Sequence, residues 1–427
     1  MISTSEFRTF FELLLLAGVF IFSVVFDCGP AAVFHVDESV STPEENFFRC
    51  SNPRGARVWC LRRRHGNAYS AAVLEKLIAQ LTGGKALADD QVRQAVNALA
   101  DEKVATEVKA DFLTQLARKG ETIEEITAFA RELRARSLQP TLGDFAGTRE
   151  ILDVVGTGGD RLSTFNISTN VAIVAAAAGV IVAKHGNRAS TSPVGSADVM
   201  EALGIPIGLE PTESVDALRR LGFAFFFAPK YHPAFRHITP ARKLCAQRGQ
   251  VTLFNFLGPL LNPARPTAML VGVPRPDLCE PLARVLQSLG VRRAMVVCGA
   301  VTDGDGAVRY LDEISPLGPT TVAEFYQERA LACSQLEPEH FALQPVTLPD
   351  LRGGANAGIS AEIIRRILRR DERGPKRDAV LLNAAAALFV AGRSASLMAG
   401  WELAVEVIDS GAAQRKLEEI TAVRPPG

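Results

Sequence analysis

Between Asp153 and Thr169 the chain reads DVVGTGGDRLSTFNIST: a short β-branched run, a turn rich in glycine, one carboxylate, then a run of hydroxyls. Gly156, Gly158 and Gly159 let main-chain N–H groups approach an anion with no Cβ in the way, and a helix N-terminus after the turn adds positive dipole. Ser163, Thr164, Ser168 and Thr169 offer hydroxyls, and Asn166 an amide, to phosphate oxygens or a metal. Asp160 sets a further condition. A carboxylate beside a phosphate repels it unless the carboxylate grips a sugar hydroxyl or a cation bridges the two. The stretch therefore suits a phosphorylated sugar with Mg²⁺. It matches neither GxGxxG nor a Walker A loop, and glycine turns after strands are common, so by itself it leaves a plain turn open as well.

A second stretch, KHGNRASTSPVGSAD from Lys184 to Asp198, also leaves a strand and runs into a helix near Ser196. Lys184 is a point charge suited to phosphate. His185 alone would more often be a structural histidine, and Asn187 can orient an amine or a carboxylate. Two such loops leaving successive parallel strands converge at the carboxyl edge of a sheet, where α/β proteins bind ligands. Asp312 and Glu313, in LDEIS, supply the hard oxygens that Mg²⁺ takes when it keeps waters and a substrate phosphate, although adjacent acids are often no more than solvated surface. Arg242, in ITPARKL near an expected helix start, is a candidate fork for a carboxylate.

The elements that must hold these residues fall into two patterns. From about Ala68 apolar residues recur at three- and four-residue spacing, Gly83-Gly84 separates two helices, and Thr122 to Glu125 forms a capping box. This is a small helical unit over 67–138, and 139–147, with Pro140, Gly143 and Gly147, is the linker out of it. Over 148–420 strands and helices then alternate, ending in a short tail at 421–427. ILDVVG, VIVAKHG, TAMLVGV and RAMVVCGA read as strands, and AVLLNAAAALFVAG as a buried helix. The fold expected is α/β: a small N-terminal all-helical domain and a large α/β domain with a mostly parallel central sheet.

Composition narrows the partners. Forty-seven basic residues against 47 acidic ones exclude a chain that coats a polyanion, so any anion site is local and no nucleic acid is expected. The cysteines are odd in number, with no CxxC pair, and read as reduced thiols in a cytoplasmic protein. Residues 1–66 differ from the rest. Phe10 to Phe26 is apolar except for Glu12, and the sequence after it is irregular and turn-rich. The apolar run is shorter than the roughly 20 residues of a spanning helix. A signal, an anchor and an extension from an early start codon all stay open, and membrane contact is expected only if this segment is used.

Taken in order, GTGGD, TFNIST, KHGNR, GSADVMEALG, YHPAF, FNFLGPLLNPARP and DEIS resemble the anthranilate phosphoribosyltransferases, a family with the nucleoside phosphorylase-like, class IV phosphoribosyltransferase fold. The likeness runs from about Ala68 to near Ile420. It implies that Gly156, Gly159, Asp160, Thr164, Asn166, Ile167, Ser168 and Thr169 bind phosphoribosyl pyrophosphate. Lys184, His185, Gly186, Asn187, Arg188, Ala189, Ser190, Thr191, Ser192 and Ser196 would complete that site. It further implies that Ser168, Asp312 and Glu313 hold magnesium, and that Gly156, Asn187 and Arg242 contact anthranilate. Lys184, His185 and Asn187 are the expected catalytic set, in a homodimer. The chain departs from the family pattern at KLCAQRGQVTLFN, where Gln250-Val251 stand in place of an Arg-Thr. The expected reaction is phosphoribosyl transfer to the amine of anthranilate in tryptophan biosynthesis. The alternatives are a pyrimidine nucleoside phosphorylase of the same fold and a non-catalytic nucleic-acid-binding relative.

Overall fold

The computed structural model describes residues 35–36, 47–51, 57–61, 66–143, 149–189, 193–302, 307–327 and 330–423. The apolar run at Phe10–Phe26 and part of the linker lie outside them, as do Ser190, Thr191 and Ser192. Contacts divide the chain into Met1–Tyr69 and Ser70–Gly427.

The first unit contains a small antiparallel sheet of β1 (His35–Val36), β2 (Phe47–Ser51) and β3 (Arg57–Leu61). The expectation of irregular sequence here is corrected. Phe47–Ser51 (FFRCS) and Arg57–Leu61 (RVWCL) are rich in aromatic and apolar residues but show no strict alternation, and runs this short declare themselves only once paired.

Helix α1 (Gly66–Thr82) runs across the division at Tyr69, and α2 (Asp89–Ala100), α3 (Thr106–Lys119) and α4 (Ile123–Ala135) follow it in the second unit. The capping box at α4 forms: the Thr122 side chain accepts from the Glu125 N–H, and Glu125 accepts in return from the Thr122 N–H.

Then strand and helix alternate: β4 (Ile151–Gly156), α5 (Ile167–Ala177), β5 (Ile181–Gly186), α6 (Ser196–Leu203), α7 (Pro211–Leu221), β6 (Phe223–Phe227), α8 (Ala228–Tyr231) and α9 (Phe235–Gln247). After these come β7 (Ala268–Gly272), α10 (Cys279–Ser288), β8 (Arg293–Thr302), β9 (Val308–Leu311), β10 (Thr320–Tyr326) and β11 (Ala332–Leu336). Four helices end the chain: α11 (Ala357–Leu368), α12 (Pro375–Val390), α13 (Leu397–Asp409) and α14 (Ala412–Thr421).

The sheet order is β11-β10-β8-β7-β4-β5-β6, with β9 beside the far half of β8. The five strands from β8 to β6 are parallel, while β9, β10 and β11 pair antiparallel at the other side. The chain moves outward from β4 through β5 to β6, then returns to β4's other flank with β7. That reversal opens a crevice beyond the carboxyl ends of β4 and β7.

One face of the sheet carries α5 and α12, whose runs of alanine let the helices sit close; Ala384 to Ala387 are fully buried. On the other face the helical bundle, α9 and the 253–261 turns share a single core with Met269, Val271 and Val296. Among the described residues, no helix is long and apolar enough to cross a membrane.

Candidate functional site

The site is built on strands that end in glycine. Gly156 of β4 and Gly272 of β7 are register partners, and both face the segment that follows β9. A Cβ on Gly156 would stand 2.4 Å from Asp312 Oδ2, and one on Gly272 would stand 1.6 Å from the Asp312 carbonyl oxygen. Bare backbone is needed here to admit Asp312, in addition to any ligand. The Gly158 N–H then donates to Asp312 Oδ2 at 2.7 Å, and the Ser168 N–H, in the first turn of α5, donates to Glu313 Oε1 at 3.1 Å. The turn between holds positive φ at Gly158, Gly159, Arg161 and Ser163, two of which carry side chains.

Lys184, at the end of β5, is 1% exposed and brings its ammonium to the Val154 carbonyl at 2.7 Å and to Ser168 Oγ at 3.4 Å. Burial lowers its pKa, while the charges of Asp153 and Glu313 raise it. Glu313 is pushed up to about 7 by burial, against the pull of Lys184. Burial and the neighbouring Asp160 and Glu313 charges drive Asp312 well above the carboxylate range, and burial raises Asp160, which hydrogen-bonds Asp312. Asp160, Lys184, Asp312 and Glu313 thus form one interacting cluster, in which burial and crowding disfavour charge on the acids.

Of the other expected residues, Ile167 packs its side chain into the core, and Thr169 is fully buried with its hydroxyl unpartnered. Thr164 forms an antiparallel bridge with Arg352, and the Asn166 amide meets the Val194 carbonyl at 3.5 Å. Gly186 closes β5 against Ser196 Oγ. Asn187 is exposed, its Oδ1 accepting from the Arg188 N–H. Arg242 sits in the body of α9, a correction to its expected place near a helix start; the helix begins at Phe235 and carries Pro240 internally.

Sequence reasoning missed the residues that hold these in place. Asp153 is fully buried and accepts from the His185 N–H and from Asn262 Nδ2, which also donates to the Ala183 carbonyl. Burial pushes Asp153 up to about 6. Asn383, buried in α12, accepts from the Ile314 N–H and donates to the Ile314 carbonyl, fixing the residue after Glu313. A buried Asp or Asn inside an apolar run was the available signal, since such a group must find partners.

A row of rings runs from His185 to His232 (5.3 Å between centroids), to Phe235 (5.5 Å), to Phe254 (5.7 Å), and the Arg242 guanidinium lies 5.3 Å over Phe254. His185 Nε2 and both His232 nitrogens are buried without a well-directed partner, and burial keeps His185 neutral. Among the described residues Arg242 has no ion pair; it makes one long hydrogen bond, 3.4 Å to the Phe254 carbonyl. The departing loop is anchored by Arg248 to Asp111 of α3 at 2.8 Å, which leaves Val251 exposed.

Burial holds His232 at about 4 against 6.5 unfolded. Between those values the unfolded chain binds more protons, so its contribution is complete above pH 6.5 and is lost as pH falls to 4. From pH 6.5 to 4 the unfolding free energy of the wild type should drop about 3 kcal/mol further than that of His232→Phe, by urea denaturation. Equal slopes would refute this.

The glycosyl transferase family, a/b domain, matches residues 148–414, and the glycosyl transferase family, helical bundle domain, matches residues 75–137. An anthranilate phosphoribosyltransferase of Acetivibrio thermocellus is 42% identical over 349 residues, covering 81% of this chain and 95% of that protein. The crystal structure of anthranilate phosphoribosyltransferase from Thermus thermophilus superposes with a TM-score of 0.71 at 39% identity, over 82% of this chain and 98% of the other. The Saccharomyces cerevisiae enzyme in complex with phosphoribosyl pyrophosphate and Mg gives 0.70 at 28% identity, over 82% and 97%. Paired carboxylates and a buried lysine at the sheet's reversal point, with these likenesses over nearly the whole length of the relatives, lead to one conclusion: the chain belongs to the anthranilate phosphoribosyltransferase family.

Proposed function

We propose that the chain transfers the phosphoribosyl group of phosphoribosyl pyrophosphate to the amine of anthranilate, giving N-(5-phosphoribosyl)anthranilate and pyrophosphate, for tryptophan biosynthesis. The observation that carries this reading is the meeting of Lys184, Asp160, Asp312 and Glu313 where the loops after β4 and β5 converge. The donor is assigned to Gly156, Gly159, Asp160, Thr164 and the start of α5, with Lys184 to Ala189 and Ser196.

Ser168 Oγ, Asp312 and Glu313 fit a magnesium ion: all three are hard oxygens, and the two carboxylates, raised by burial, would be relieved by a cation between them. Bound there, magnesium would neutralise charge on the pyrophosphate leaving group.

The difficult event is cleavage of the anomeric C–O bond. Its electron pair leaves with pyrophosphate, beside the Lys184 ammonium and the loop N–H groups, which stabilise the growing negative charge. The amine nitrogen uses its own lone pair to form the new C–N bond and then gives up a proton to solvent, so no strong base is needed. Neutral His185 positions the acceptor, Asn187 faces its amine and Arg242 grips its carboxylate. A homodimer in the cytoplasm is part of the same reading.

The test is pyrophosphate release by the full chain, which should require phosphoribosyl pyrophosphate, anthranilate and Mg²⁺ together. Release that ignores anthranilate would defeat the reading. Arg242→Ala should raise the anthranilate KM on the order of a hundredfold with kcat largely kept, since a desolvated fork on a carboxylate contributes about 2–3 kcal/mol. An unchanged KM removes Arg242 from the acceptor site.

A further inference from the structure

One carboxylate holds both ends of the connection from β5 to α6. Asp198, in the first turn of α6, accepts at Oδ2 from the Ala189 N–H (3.1 Å) and the Gly195 N–H (3.0 Å). Its Oδ1 accepts from Arg188 Nη1 at 2.9 Å. Arg188 continues outward, with Nη1 and Nη2 on the two oxygens of Glu201 at 2.6 and 2.9 Å, and lies 5.5 Å over the Phe227 ring. Beside this, the Asn187 carbonyl accepts from the Ala197 N–H at 3.1 Å and from Ser196 Oγ at 3.3 Å. The close approach needs glycine: a Cβ on Gly195 would stand 2.2 Å from the Ala189 nitrogen and 2.4 Å from the Arg188 carbonyl carbon.

We propose that Asp198 is a positioning residue for both substrates: its bonds to the Ala189 N–H and the Arg188 guanidinium fix the outgoing end of the Asn187–Ala189 run, and Arg188 braces that carboxylate from outside. The inference rests on the donor and acceptor lying at the loops after β4 and β5. Aspartate is suited to the task because its short side chain presents two acceptor oxygens to three donors and no hydrogen of its own. Asparagine would satisfy one side and turn an N–H₂ toward the donors on the other. The Arg188 guanidinium, spread over two carboxylates, is occupied, so its service to the donor site runs through its backbone and its grip on Asp198. The Asp198 side chain is 23% exposed, so water can replace lost bonds and the fold should survive its removal. What is lost is the placement of the loop.

Steady-state kinetics with each substrate varied, and thermal melting, test this on Asp198→Ala, Asp198→Asn and Glu201→Ala. Asp198→Ala should raise both substrate KM values roughly tenfold or more, with kcat within about threefold and little change in Tm. Glu201→Ala, which removes only the outer brace, should shift both KM values by less than about threefold. Wild-type KM values in Asp198→Ala, or a loss of kcat alone, overturn the proposal. If Asp198→Ala does not fold, Asp198→Asn, with the same shape, decides on the same KM criterion. Lys184→Met separates the two layers. If it keeps wild-type kcat/KM for the donor, the placement of the donor is wrong. If it is impaired while the Asp198 variants are not, only the role of Asp198 fails.

Discussion

Lys184→Met should lower kcat/KM for phosphoribosyl pyrophosphate on the order of a thousandfold, about 4 kcal/mol of transition-state stabilisation. Lys184 is 1% exposed, and its ammonium lies among the Val154 carbonyl, Ser168 Oγ and the charges of Asp153 and Glu313. Water is nearly absent there, so a charge acts at short range with little screening. Methionine keeps the volume and removes only the cation. Asp153 and Glu313, already raised toward neutrality, would then hold their protons more tightly, and the cluster would present no positive charge to a departing pyrophosphate. The loss should appear in kcat and kcat/KM together, because the interaction strengthens as the bond breaks. Single-turnover kinetics measures it directly, and retention of activity within about threefold would exclude Lys184 from the chemistry.

Gly272→Ala should cost about 3 kcal/mol of stability and remove most activity, although Gly272 touches no substrate in the proposed reading. The added Cβ would fall 1.6 Å from the Asp312 carbonyl oxygen and 2.3 Å from its carbonyl carbon, both backbone atoms that cannot rotate away. Either β7 or the segment after β9 must move. Asn383 holds that segment from the far side through both Ile314 backbone groups. Asp312 would then leave the Gly158 N–H, and Glu313 the Ser168 N–H. Gly208→Ala is the control, since a Cβ there meets nothing within 4 Å. Urea unfolding and the Mg²⁺ dependence of turnover read the two consequences; a Gly272→Ala protein that matches Gly208→Ala in both would show that the strand end tolerates a side chain.

Much of the architecture was readable because it is periodic. The helices around Leu74, Leu99 and Leu113, the strands at Ile151 and Ile181, and the buried alanine-rich α12 all follow from apolar spacing and local turn chemistry. The short strands of the first unit and the antiparallel strands β9 to β11 were not readable in this way. Their two to seven residues carry too little pattern, and a partner strand decides them. For the site, the glycine turn, Lys184 and the Asp312-Glu313 pair stood out by residue type alone, whereas Asp153, Asn262 and Asn383 did not. A buried polar residue is identified by its partners, and those partners lie 109, 79 and 69 positions away in sequence.

The amino-acid order by itself determined that glycine- and hydroxyl-bearing turns leave two successive strands of an α/β sheet, because glycine spacing and hydrophobic period are local properties of the chain. Only the tertiary structure decided that Asp312 occupies the space left by Gly156 and Gly272, that Arg188 is held by Asp198 and Glu201, and that a row of rings links His185 to Arg242. The reason is that steric exclusion and ion pairing depend on distance in space, and the crossovers of the sheet set that distance.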